Sequence, residues 1–371
     1  MHPKWQYFVF ILLSLTLVSY FAVLLRIFGT LHATISENIK PQPISDNLLL
    51  WTIIVCAAYC LMLLLTRRYF TVIPYYYYWI APVFALIIST ATYPRFADDI
   101  LIYVMHARTI VLYGMNPYIT LPETVEHSRL AELTTLNITN VYGPVWTFIS
   151  IIPTLIAQKN LLINIILMKV LVILLFLSTA ATLDYHNQRE KIANRIMLLV
   201  AVLWNPLLLV DIGINGHNEA VMMFFLVVAI ILLLHHKKTA TFITFSIAVL
   251  TKYIPILLLP LLFIKLTKNS KKIITITQGI AILLATAIIS FTPFANKKIF
   301  YGIYEQSTIV LASFFSLSGA LHIPFIIGEC LFYSSFVTIT FLVWKGKRTT
   351  LWGIYHTILW YLIIGTKLFH P

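Results

Sequence analysis

Apolar runs of roughly 20 residues, the length an α-helix needs to cross a bilayer, constrain this chain more than any other feature. Trp5 to Phe28, Leu48 to Thr66 and Leu161 to Leu183 are such runs. Backbone N–H and C=O groups left unpaired cannot enter lipid, so each run is read as a helix. The chain is therefore expected to be all-α, a polytopic transmembrane helical bundle of about ten or eleven hydrophobic segments, some of them half-helices. No soluble domain, internal repeat or low-complexity tract stands out, so residues 1–371 read as one integral-membrane domain.

Charge sets the sidedness. The 26 Lys and Arg exceed the 13 acidic residues, a balance that can indicate nucleic acid. Here the bases lie in short connectors between apolar runs, as cytoplasmic loops require, and nucleic-acid binding is set aside. Arg67 and Arg68, His235 to Lys238, Lys265 to Lys272 and Lys345 to Arg348 are placed in the cytoplasm, together with the N-terminus. Asp98 and Asp99 then face outside. The first run is too long for a removed signal peptide and lacks a small-residue cleavage site, so it reads as a retained span. Tyr75 to Trp79 reads as an interfacial aromatic belt. Cys56, Cys60 and Cys330 lie in apolar segments, where thiols act as small hydrophobes.

Two segments depart from simple alternation. Val141 to Ala157 and Leu161 to Leu183 are split only by Gln158-Lys159-Asn160, and two full crossings would carry His235 to Lys238 outside. Gly143, Pro144 and Pro153 make the first of them the broken or partial span. Thr239 to Ile264 is too short to leave and return as two full spans, so the turn from Thr251 to Pro255 is expected at membrane depth.

Three groups of residues can carry chemistry. From Arg95 to Arg108, helical spacing sets Asp99, Tyr103 and His106 on one face of a short amphipathic helix, with Arg95 one turn before Asp99. Such a helix can lie on the outer leaflet and hold a carboxylate over a lipid substrate. The same residues also suit a solvated loop with an Arg95–Asp99 surface pair. The second group is Trp204-Asn205-Pro206, Asp211 and Asn215-Gly216-His217-Asn218-Glu219, inside an otherwise apolar hairpin. A polar apex of this kind can bind phosphate or sugar hydroxyls. His217 lacks the second spaced His or Cys of a zinc motif. Lys252 is the third. A cation deep in lipid is costly unless paired, and this one is placed to hold an anionic head group, with Asp211 or Glu219 as alternative partners.

In this order, these residues resemble the GT-C superfamily of integral-membrane glycosyltransferases, in particular its polyprenol-phosphate-mannose-dependent branch. The matching pieces span roughly residues 93–265. They are Asp98-Asp99 with Tyr103 and Arg108, Asn116-Pro117-Tyr118, Tyr142-Gly143-Pro144, Trp204-Asn205-Pro206, Asn215 to Glu219, and Thr251-Lys252 with Pro255. Gly143 stands where the family has Pro, Glu219 where Asp is commoner, and His106 where some relatives have Asp. The resemblance implies transfer of a hexose, mannose first, from a polyprenyl-phosphate donor to a lipid or glycan acceptor on the outer face, with inversion. Asp99 would be the general base. Lys252, His217, Asn218, Glu219, Arg108 and Tyr142 would serve the donor and its phosphate. Arg95, Tyr103, His106, Asn116, Asp211 and Asn215 would line the site. Asp98 would orient Asp99 or, with it, hold Mg2+ or Mn2+. In the resembling family the His-Pro at His370-Pro371 leads into further spans, so this chain is expected to lack its last helices.

Two other readings use the same residues. A transporter or flippase would carry an anionic lipid-linked sugar past the buried charges, and an inactive homologue would only bind lipid. Sugar transfer from polyprenyl phosphate separates all three.

Overall fold

A computed structural model describes residues 2–37, 47–95, 97–126, 129–134, 137–267, 272–296 and 325–364. The helices, in chain order, are α1 (Pro3–Phe28), α2 (Leu31–Ser36), α3 (Asn47–Arg68), α4 (Tyr77–Ala91), α5 (Asp99–Val111), α6 (Arg129–Leu133), α7 (Pro144–Ala157) and α8 (Leu161–Arg189). They continue with α9 (Arg195–Leu203), α10 (Pro206–Leu209), α11 (Glu219–Leu234), α12 (Lys238–Thr251), α13 (Leu259–Thr267), α14 (Lys272–Phe291), α15 (Phe325–Trp344) and α16 (Thr350–Ile364). No strand occurs among the described residues, and the protein is an all-α polytopic bundle. Four helices within them are long and apolar enough to cross a bilayer, and several apolar helices of 10–17 residues stand beside them. The His370-Pro371 end, where the chain is expected to lack its last helices, lies outside the described residues.

The chain divides into two compact units. The first comprises Met1–Met115, Pro122–Asn137 and Thr147–Val227; the second comprises Asn116–Leu121, Ile138–Trp146 and Val228–Pro371. In the first unit α1 packs against α3 and α4, and α8 packs against α4, α5 and α9. Asp184 on α8 holds this group at one end: it accepts two hydrogen bonds from Arg195 at 2.6 and 2.8 Å and one from the Tyr75 hydroxyl at 2.7 Å. Arg195 also lies over the Tyr75 ring at 5.0 Å, so this belt tyrosine latches helices together. In the second unit α12 and α13 pack against α14, and α15 pairs with α16.

The irregular segments follow from local chemistry. Residues 141–157 give one short helix that starts at Pro144 and contains Pro153, while Leu161–Arg189 is one long helix. Between them Gln158 takes a positive φ of 50° and the Asn160 side chain accepts from Ile163 N at 3.0 Å, a tight turn with an N-cap. The break expected near Lys252 is present: α12 ends at Thr251, Lys252 is extended, and a short 3-10 turn (Ile254–Leu258) leads into α13. Trp204-Asn205-Pro206 is a kink. Trp204 Nε1 donates to Tyr78 O at 2.7 Å, the Asn205 side chain caps Leu207 N at 3.0 Å, and Pro206 opens the next turn, so α9 and the segment from Pro206 to Ile214 bend by 44°.

One expectation is corrected. The helix carrying Asp99 is not an amphipathic helix on a leaflet, because Ile100 through Thr109 are all buried. Ile100, Leu101 and Val104 have no exposed surface, and Tyr103, His106 and Arg108 are at most 4% exposed. A helix covered on every face through its middle belongs inside the protein, with its N-terminal carboxylates and its last two residues left partly accessible.

Candidate active site

The carboxylates come first. Asp98 is the N-cap of α5 and Asp99 its first residue, where the positive end of the helix dipole favours a negative charge. The polar apex lies beside them. Past α10 the backbone widens into a π turn (Val210–Ile214) carrying Asp211, and His217 N donates back to Asp211 O at 3.3 Å. Gly216 has a φ of +70°, and a Cβ there would run into the Ile100 side chain, with Cγ1 at 3.1 Å. Glycine therefore serves twice: it allows the left-handed turn and lets the connector press onto the residue after Asp99.

The result is a histidine among three carboxylates. His217 Nε2 lies 3.5 Å from Asp211 Oδ1 and 3.9 Å from Asp99 Oδ2, and Nδ1 lies 3.4 Å from Glu219 Oε2. Burial pushes the imidazole down, but Glu219, by hydrogen bond and charge, then Asp211 and Asp99 outweigh it and raise its pKa to about 9. Asn218 beside it is fully buried, and among the described residues neither atom of its amide has a hydrogen-bond partner; the same is true of Asn215 Oδ1. Buried amides of this kind cost about 1–3 kcal/mol unless something else satisfies them. Hydroxyl groups of a sugar would do so.

The imidazolium has a pH signature. Because its folded-state value lies above the ordinary 6.5, its contribution to stability is complete below pH 6.5 and is lost as pH rises through about 9. The thermal midpoint is expected to fall across that window in the native protein and to stay flatter in His217→Gln; equal slopes in a melting series would exclude a charged His217.

The second unit gathers other candidates. Tyr118 N donates to Asn116 Oδ1 at 3.1 Å and Asn116 Nδ2 donates to Phe294 O at 2.8 Å, so this amide builds a turn. Tyr118 Oη donates to Tyr142 O at 2.9 Å, and Gly143 N donates to Thr251 O at 3.3 Å. A Cβ on Gly143 would collide with the Leu250 carbonyl and come within 3.1 Å of its Cα. Glycine in place of the family's proline is thus a close backbone approach, tying Tyr142 to the chain break that presents the half-buried Lys252. Gly143→Ala is expected to destabilise the protein by about 1–3 kcal/mol or more, visible as a lowered melting temperature.

Two expected assignments are corrected. Arg108 is not available to a phosphate: it is 4% exposed, Nε donates to Glu126 Oε2 at 2.6 Å, and Nη1 donates to Gln158 O and Lys159 O at 3.4 Å each. It fixes the turn between α7 and α8. His217 is likewise turned to carboxylates, whose charge repels a phosphate. Arg95 stays partly exposed, while Tyr103 and His106 are interior residues of α5. Residue-by-residue reading missed Glu126, for which no pattern speaks. It also missed Lys169, a lone cation inside an apolar run, which is a signal.

Comparison with known proteins now adds the family. A family model described as alpha-(1->6)-mannopyranosyltransferase, N-terminal domain, of the MptA_B family matches residues 13–268. The chain belongs to the MptA_B family. It is a membrane mannosyltransferase of the GT-C type. No curated protein and no solved structure matches it. For this MptA_B member the matched span covers the Asp98-Asp99 pair, the polar connector and Lys252.

Proposed function

We propose that this mannosyltransferase transfers one mannosyl residue from a polyprenyl-phosphate donor to a lipid or glycan acceptor, at the outer membrane face and with inversion. The family's description supports an α-(1→6) product. Inversion to an α product requires a β-linked donor.

The observation that carries the reading is the His217 cluster with the unpartnered Asn218 amide. Asp99, at 23% exposure, is the carboxylate that also heads a helix. It takes the proton of the acceptor hydroxyl as that oxygen attacks the sugar carbon. Asp211, Asn215 and Asn218 bind sugar hydroxyls, and Glu219 holds His217 as an imidazolium. Lys252, held beside Tyr142 by the Gly143–Thr251 hydrogen bond, stabilises the departing phosphate by charge. One base and one leaving-group cation suffice for a single displacement; retention would need a second carboxylate as nucleophile, and in this reading Asp211 serves the sugar hydroxyls and Glu219 serves His217 instead.

His217 Nε2 lies 3.9 Å from Asp99 Oδ2, one of the carboxylates that would hold Mg2+ or Mn2+, and the imidazole is read as the positive partner of that oxygen. The test is radiolabelled mannose transfer from a synthetic β-linked polyprenyl-phosphate mannose by the full chain in vesicles, with anomeric analysis of the product and an EDTA arm. Expected are an α-linked product and equal rates with and without EDTA. A β-linked product would contradict inversion, EDTA inhibition reversed by Mg2+ or Mn2+ would restore the metal, and donor translocation without transfer would mark a transporter.

A further inference from the structure

Lys169 sits in the N-terminal third of α8 with no exposed surface. Among the described residues its ammonium meets no carboxylate, and its hydrogen bonds go to two backbone carbonyls, Ser89 O at 3.0 Å and Thr92 O at 2.5 Å. Ser89 lies in the last turn of α4 and Thr92 is its extended C-cap, so the ammonium sits at the end where the helix dipole is negative. Capping alone does not require such a group. A buried cation without a counter-carboxylate is costly, and a methionine-like side chain would fill the same space without that cost.

What is unusual is what rests on the clamped turn. The chain leaves α4 at Thr92, Tyr93 N donates to Gly29 O at 3.1 Å, and a few residues on Asp98 caps the helix that starts at Asp99. From the other side, Gly213 lies so close to Ser89 that a Cβ on it would stand 2.8 Å from Ser89 Cβ and Oγ. Gly213 is in the same π turn as Asp211. The segment before Asp99 and the turn bearing Asp211 therefore share one support, and Lys169 holds that support.

We propose that Lys169 is a positioning residue for mannosyl transfer: by clamping the Ser89 and Thr92 carbonyls it sets where Asp99 and Asp211 stand relative to the acceptor. This rests on Asp99 acting as the base. A displacement of about 1 Å in a reacting group lowers turnover by up to about a hundredfold without removing substrate contacts, so the effect belongs in kcat.

The experiment compares Lys169→Met, Lys169→Gln, Gly213→Ala and Asp99→Asn in vesicles with the synthetic polyprenyl-phosphate mannose. It reads kcat, donor KM and melting temperature. Lys169→Met is expected to lose about tenfold or more in kcat with donor KM within about twofold. Lys169→Gln, whose amide still donates to carbonyls, recovers part of the loss. Gly213→Ala, which displaces the same support from the opposite side, lowers kcat with KM unchanged. A folded Lys169→Met at wild-type kcat, or Met and Gln variants with equal kcat, would overturn the proposal. If Lys169→Met does not fold, wild-type kcat in Gly213→Ala overturns it. Normal turnover by Asp99→Asn would instead defeat the assignment of the base, whatever the Lys169 variants do.

Discussion

Asp99→Asn is expected to lower turnover about a hundredfold or more while leaving donor KM near the wild-type value. Asparagine keeps the volume and one acceptor oxygen, so the α5 N-terminus and the approach of Gly216 to Ile100 should survive. What disappears is the proposed proton acceptor and one of the three carboxylates facing His217, of which Asp99 is the most distant at 3.9 Å. Asp98→Asn is the matched control. It alters the N-cap, whose side chain makes no capping hydrogen bond, so its loss should be several-fold smaller. Wild-type turnover by Asp99→Asn together with an inactive Asp98→Asn would move the base to the neighbouring residue. Steady-state kinetics with a fixed acceptor distinguish the two.

Lys252→Met should behave differently. The substitution keeps most of the side-chain length at the break after α12 but removes the charge, so it weakens the donor in the ground state and the departing phosphate still more. A loss of about 3 kcal/mol, typical of one electrostatic contact in a water-poor site, corresponds to roughly a hundredfold in kcat/KM. Donor KM should rise and kcat should fall together, unlike the kcat-only pattern of Asp99→Asn. Unchanged kcat/KM with the phosphate-linked donor would remove Lys252 from the reaction.

The helices were largely legible in the sequence because the bilayer leaves a backbone few options. The run from Leu161 to Leu183, which lies within one long helix, and the break at Lys252 follow from hydropathy and short-range chemistry. The polar residues that meet around His217 were visible too, since Asp99 and the stretch from Asn215 to Glu219 stand out as polar groups in apolar surroundings. Its internal chemistry was not. The meeting of His217 with Asp99 joins segments far apart in the chain and depends on a left-handed Gly216 seated on Ile100. Arg108 resembled a phosphate ligand by its motif, yet its partner Glu126 lies across a connector with no periodicity to announce it. Lys169 could be seen as an anomaly, but its acceptors are backbone carbonyls, which leave no mark in a sequence.

The most direct measurement is a single-turnover reaction of the purified full chain in vesicles, with [3H]mannose on a β-linked polyprenyl phosphate as the only sugar source, in wild type and Asp99→Asn. Radiolabel moving to the acceptor in α linkage at a rate the substitution cuts by about a hundredfold, with donor bound equally by both proteins, is the predicted result. Transfer that requires a nucleotide-linked mannose, or that proceeds at the same rate without the Asp99 carboxylate, would contradict it.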